Sequence, residues 1–135
     1  MSVTNKKTLH LIKTDFEKIN QLLSFYFAYL PSRTALSETF ARLEKILSRA
    51  LIVETGKIPK GIATLNSLVA FVDVETGNES HAVVSLTSSD TNAEKKISIF
   101  STFGCTVLGS IPGDLVQHDT HEGMRKFFIK SVNNE

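Results

Sequence analysis

Two apolar seams at helical spacing, separated by a single proline, constrain this chain more than any other feature. Phe16, Ile19, Leu23, Tyr26 and Leu30 recur at steps of three and four, which puts them on one face of an α-helix. Thr14-Asp15-Phe16-Glu17 fits a capping box, with Thr14 at the N-cap, and it leaves acidic residues in the first turn where the helix dipole favours them. Pro31 interrupts the pattern, and Ser32 or Thr34 then caps a second helix. Its seam runs through Leu36, Phe40, Leu43, Leu47 and Ala50. Two apolar seams joined by a short turn predict an antiparallel helical hairpin, coiled-coil-like, with arms of roughly 22 Å.

The periodicity changes after the hairpin. Gly56 to Gly61, with Pro59 inside, reads as a linker. Beyond it Val69, Phe71 and Val74 suggest a strand, Glu75 to Asn78 a turn, and Ala82 to Leu86 the returning strand. Ser88 to Lys95 is polar and reads as a loop. Ile97 to Phe100, Leu115 to Asp119 and Lys126 to Val132 supply three more strands, the last two separated by a turn at 120–123. The expected fold class is α+β: a helical hairpin over residues 1–55, a linker over 56–62, and an antiparallel β-domain with one short helix over 63–135.

Composition removes several classes of function. Of 135 residues, 41% are hydrophobic, enough for a packed core, and no apolar run approaches the ~20 residues of a membrane span. The first seven residues lack the apolar stretch of a secretory signal, and Cys105 is the sole cysteine, so neither an internal disulfide nor a cysteine metal cluster can form. These features point to a cytoplasmic protein. Net charge is +1 but uneven: residues 1–60 hold ten Lys/Arg against five Asp/Glu, and residues 61–135 hold five against nine. Such asymmetry suits two faces with different partners, or is simply solvated surface charge.

The stretch from Lys96 to Asp114 contains the densest run of conformational signals. Ser101 is placed to cap a one-turn helix at 102–109, Gly104 and Gly109 suit close packing or a positive φ at the helix end, and Gly113 suits a turn. Ile97-Ser98-Ile99, Ser101-Thr102-Phe103-Gly104, Leu108-Gly109 and Gly113-Asp114-Leu115-Val116 follow one another in an order and spacing that resemble the C-terminal domain of the bacterial GreA/GreB transcript-cleavage factors and of their relative Rnk, the regulator of nucleoside diphosphate kinase. Ala63 to Val69 and Glu75-Thr76-Gly77 match the segment that opens that domain and its first hairpin turn. The resemblance implies a fold similar to FK506-binding proteins for residues 63–132. It also implies docking on RNA polymerase, at the β′ subunit by the rim of the secondary channel, through Phe100, Ser101 and Thr102. In the Gre pattern an acidic residue and a proline flank the serine; here those positions hold Phe100 and Thr102.

Gre factors carry carboxylates on the hairpin tip that help hold a second metal ion in the polymerase active site, and hard cations such as Mg²⁺ need oxygen ligands of that kind. This chain has no Asp or Glu between Glu17 and Glu38, and Arg33 is the one charged residue in the Tyr29 to Thr34 turn. The expectation is therefore a protein without catalytic residues, metal or cofactor, and without transcript-cleavage activity. Phe25, Tyr26, Phe27 and Tyr29 crowd the end of the first helix; Phe27, Tyr29 and Arg33 form the candidate tip surface, toward polymerase or, more weakly, its nucleic acid. Two other functions stay open: regulation of nucleoside diphosphate kinase or metabolism without polymerase contact, and prolyl isomerisation, for which the sheet region offers Phe71, Phe100, Phe103, Phe127 and Phe128 but no Trp or Tyr. His118 and His121 around Asp119, and the Asp73, Glu75 and Glu79 carboxylates, read as solvated hairpin groups, and Cys105 as a buried apolar residue.

Overall fold

The computed structural model describes residues 8–29, 35–87, 89–90, 95–120 and 123–134. Strand β1 (His10–Ile12) leads directly into helix α1 (Lys13–Tyr29), which starts one residue ahead of the expected Thr14 cap. Helix α2 (Ala35–Ser48) returns to strand β2 (Leu51–Val53), which pairs parallel with β1 in register His10–Leu51, Leu11–Ile52 and Ile12–Val53. Both helical seams face inward: Ile19, Leu23, Phe40, Leu43 and Leu47 are all buried. The turn at 30–34, including Pro31 and Arg33, lies outside the described residues, as do the side chain of Leu36 and all of His121. β2 was not read from the sequence, although Leu51-Ile52-Val53 carries the β-branched signal that marks strands.

The β-domain is one six-stranded sheet of β3 (Leu68–Asp73), β4 (Glu79–Ser85), β5 (Ser89–Asp90), β6 (Lys95–Ser98), β7 (Leu115–Thr120) and β8 (Gly123–Asn133). Its order is β5-β6-β4-β3-β8-β7. The sheet is mixed, where hairpin links alone suggested a wholly antiparallel one: β4 and β6 run parallel, through Val83–Lys96, Val84–Ile97 and Ser85–Ser98. The reason lies in the segment read as a loop, which contributes β5 as a short edge strand on β6 and thereby turns the chain before β6 joins β4. Helix α3 (Thr102–Val107) closes one face of the sheet. Val69, Phe71, Val84, Ile97, Val116 and Ile129 point into the core beneath it, together with Cys105, Val107 and Leu108. At ~25 cal/mol per Å² of apolar surface, each fully buried side chain of this size contributes about 1.5–3 kcal/mol before conformational entropy is charged against it.

The hairpin does not stand clear of the sheet. Its buried seam residues belong to the same apolar cluster as those of the β-domain. The Thr64 hydroxyl donates to the His10 carbonyl (2.6 Å), and Leu51 N–H donates to the Leu9 carbonyl (2.9 Å), so the base of the hairpin is tied both to itself and to the segment that opens the β-domain.

Candidate partner-docking surface

The turn from β6 into α3 is built by two serines acting in series. Ser98 Oγ donates to the Leu86 carbonyl (3.1 Å) and accepts from Phe100 N–H (3.0 Å). Ser101 Oγ donates to the Ser98 carbonyl (2.7 Å) and accepts from Gly104 N–H (3.0 Å), so it is the N-cap expected from the sequence. Gly104 is required by space, not by backbone angle: a Cβ there would sit 1.8 Å from the Ser98 carbonyl oxygen. Gly109 does need the left-handed region, with φ +82°, where it ends α3 and donates to the Ala63 carbonyl (2.9 Å).

This turn leaves Ser101, Thr102 and Phe103 half-buried at the molecular surface. Phe100 is different. Its ring is 7% exposed and lies against Tyr26 of α1 (centroids 5.2 Å) and Phe40 of α2 (5.5 Å), both edge-on. Tyr26 and Phe40 themselves meet at 5.1 Å. Phe100, expected as a docking residue at the surface, thus belongs instead to the buried seam between hairpin and sheet, next to the Ser101–Thr102 turn. Thr102 Oγ1 lies 3.2 Å from Thr39 Oγ1 of α2, which adds a polar contact across the same seam. Cys105 is fully buried there, its Sγ 4.0 Å from the Thr39 carbonyl, as expected of a small apolar residue.

The aromatics at the end of α1 divide between the two environments. Tyr26 faces the seam, whereas Phe25, Phe27 and Tyr29 are 57%, 40% and 75% exposed. Phe25 rests on Tyr29 (4.9 Å), and Phe27 reaches only the edge of Phe40 (6.3 Å). These rings form an uncovered apolar surface beside the helical turn. The structure does not bring them together with Ser101 and Thr102 in one site; they are two surfaces linked by the Tyr26–Phe40–Phe100 cluster.

Two groups read as solvated are not. Asp73 is buried at the β3–β4 turn, where Oδ1 accepts from Glu75 N–H (2.9 Å) and Thr76 N–H (3.4 Å) and Oδ2 pairs with Arg125 of β8. Burial would raise its carboxyl, but the two backbone bonds and Arg125 together outweigh that and hold it below the usual carboxylate range. His118 lies on β7 with its ring stacked on Phe127 (5.8 Å) and tilted against Phe103 (5.1 Å), not free in a turn. The missed signal was strand phase: His118 shares the inward face of β7 with Val116. Among the described residues no group of three or more His, Cys, Asp or Glu is arranged to hold a metal ion, and no helix is long and apolar enough to cross a membrane.

Comparison with known proteins bears on both parts of the molecule. The chain is 29% identical over 92 residues to the transcription elongation factor GreA of Clostridium botulinum, a match covering 68% of this chain and 58% of that protein. It is 29% identical over 98 residues to GreA of Clostridioides difficile, covering 72% and 61%. The chain thus spans about three fifths of the length of these curated relatives. Among solved structures, the prokaryotic transcription elongation factor GreA/GreB from Nitrosomonas europaea superposes with a TM-score of 0.73 at 27% identity, over 96% of this chain and 100% of that one. No family model matches the sequence.

Proposed function

We propose that this chain, a relative of the GreA/GreB transcription elongation factors in sequence and fold, is a non-enzymatic cytoplasmic regulator that binds RNA polymerase at the rim of its secondary channel. The β-domain docks through the Ser101–Thr102 turn, and the hairpin occupies space beside it. The β′ subunit is the expected contact. The observation that carries this reading is the pairing of a GreA/GreB-like fold with a hairpin turn that has no carboxylate: between Glu17 and Glu38 there is neither Asp nor Glu. A finger of that composition has no oxygen ligands to offer a catalytic Mg²⁺.

The division of labour follows from where the residues lie. Thr102 is half-exposed at the start of α3 and also touches α2. A partner seated there therefore meets the hairpin in one fixed orientation. Phe27 and Tyr29 are left for what lies beyond the dock, and their exposed rings suit an apolar or stacking contact; Arg33, further along the sequence in the hairpin turn, would add a positive charge to that contact.

Two measurements test this. The purified chain should bind core RNA polymerase of its own species, and Thr102→Arg should weaken that binding by about tenfold or more without loss of folded structure. Added to a backtracked elongation complex, the chain should leave transcript cleavage at its basal rate and should slow cleavage stimulated by an acidic-tipped Gre factor through competition. Stimulated cleavage, or no affinity for polymerase, overturns the reading.

A further inference from the structure

A cleft of about 350 Å³ lies where the start of α1, the linker and the opening of the β-domain converge. It is within the size range of small-molecule sites. Ile12, Ile58 and Leu65 give it apolar lining, and Asp15 and Lys60 bring opposite charges to it. Neither charge forms an ion pair, with the other or with any other described residue. Hydrogen bonds tie the linker side of the cleft to the C-terminal segment and to the opening of the β-domain. Asn134 Nδ2 donates to the Pro59 (2.8 Å) and Ile62 (3.0 Å) carbonyls, and its Oδ1 accepts from Ser67 Oγ. Thr64 N–H donates to Ser67 Oγ (2.9 Å). Asn66, also in the lining, has φ +76°, the one non-glycine residue in the left-handed region among the described residues.

Two unpaired charges of opposite sign along one apolar-lined cleft suit a ligand with the converse pattern. We infer that this cleft binds an amino acid of the arginine or lysine type, with the cationic head at Asp15, the aliphatic stem over Ile12, Ile58 and Leu65, and the carboxylate toward Lys60. The chemistry is shared by a free amino acid and by the C-terminal residue of a peptide. Partial burial raises the Asp15 carboxyl above the ordinary range, and the charge of Lys18, which forms no ion pair with it, offsets that only in part. The inference is independent of polymerase binding.

Titration of the full chain with free L-arginine and with acetyl-Ala-Ala-Arg, followed by amide chemical shifts, tests it. Saturable shifts at Thr55, Asn66 and Asn134 are expected with at least one probe; the tighter probe identifies the source. Asp15→Asn should weaken binding about tenfold. Lys60→Met should weaken it several-fold but should not weaken binding of agmatine, which has an ammonium and no carboxylate at that end. Ile58→Trp, which fills the cleft, should abolish binding in a chain whose fold is checked by circular dichroism. No saturable shift with either probe up to about 10 mM, or an affinity unchanged by both Asp15→Asn and Ile58→Trp, overturns the inference.

Discussion

Two groups of aromatic residues differ sharply in what they touch, although α1 contributes to both. Tyr26 packs with Phe40 and Phe100 into a cluster that joins three separate segments of chain. Phe25, Phe27 and Tyr29, within three residues of it along the same helix, remain largely exposed. The periodicity of α1 explains the split: Tyr26 continues the Ile19–Leu23 seam, and its neighbours are rotated away from it. The difference teaches that aromatic density does not identify function here. Burial sorts the rings into those that fix the hairpin on the sheet and those left for a partner.

Substitutions on either side of this division should separate stability from binding. Phe100→Ala removes a ring from the centre of the seam and should lower unfolding free energy by roughly 3–5 kcal/mol in a denaturant titration. A loss below about 1 kcal/mol would return Phe100 to the surface and restore it as a direct docking residue. Gly104→Ala drives a Cβ into the Ser98 carbonyl and should cost about 3 kcal/mol, read in the same titration, because backbone and not a flexible side chain must yield. Ser101→Ala leaves Gly104 N–H without its cap and should cost about 1 kcal/mol. At the other extreme, Tyr29→Ala should change stability by less than about 0.5 kcal/mol, while lowering affinity for the polymerase if the exposed rings reach it.

A pH titration sharpens the same contrast at a third place. The Asp73 carboxyl is lowered in the folded chain by its backbone bonds and by Arg125, against the opposing effect of burial. The unfolded chain therefore takes up the proton first as pH falls. The stability that Asp73 contributes is complete above about pH 4, the ordinary carboxylate value, and is lost as pH drops through the folded value. Asp73→Asn should flatten the acid limb of the stability curve. Asp15, shifted upward, acts in the opposite sense, and Asp15→Asn should be neutral or slightly stabilising at neutral pH.

Much of the fold was legible because it rests on local signals. The two helical seams, the Ser101 cap, the positive φ of Gly109 and Gly113, and the Glu75–Asn78 turn all follow from short-range spacing and residue type. β2 and β5 escaped because strands of three and two residues carry little periodicity and owe their existence to a partner: β2 to β1, and β5 to β6. The parallel β4–β6 pairing escaped for the same reason, since strand direction is a property of the pair. Of the candidate docking residues, Ser101 and Thr102 lie at the surface, whereas Phe100 lies in the seam. Nothing in its flanking sequence distinguishes an inward from an outward phenylalanine at the end of a strand. Asp73 was misread because a carboxylate beside a turn is ordinarily solvated, and its partner Arg125 lies 52 positions away.

What the sequence determined alone is a carboxylate-free hairpin turn and a serine-capped α3 with Gly104 inside it and Gly109 just beyond its end. Both are fixed by covalent order and by interactions a few residues long. Only the tertiary structure decided that the hairpin and sheet share one core through Tyr26, Phe40 and Phe100, and that Asp15 and Lys60 line one cleft without pairing. Those outcomes depend on contacts between residues far apart in the chain, whose energies arise from burial and desolvation at places no local pattern encodes.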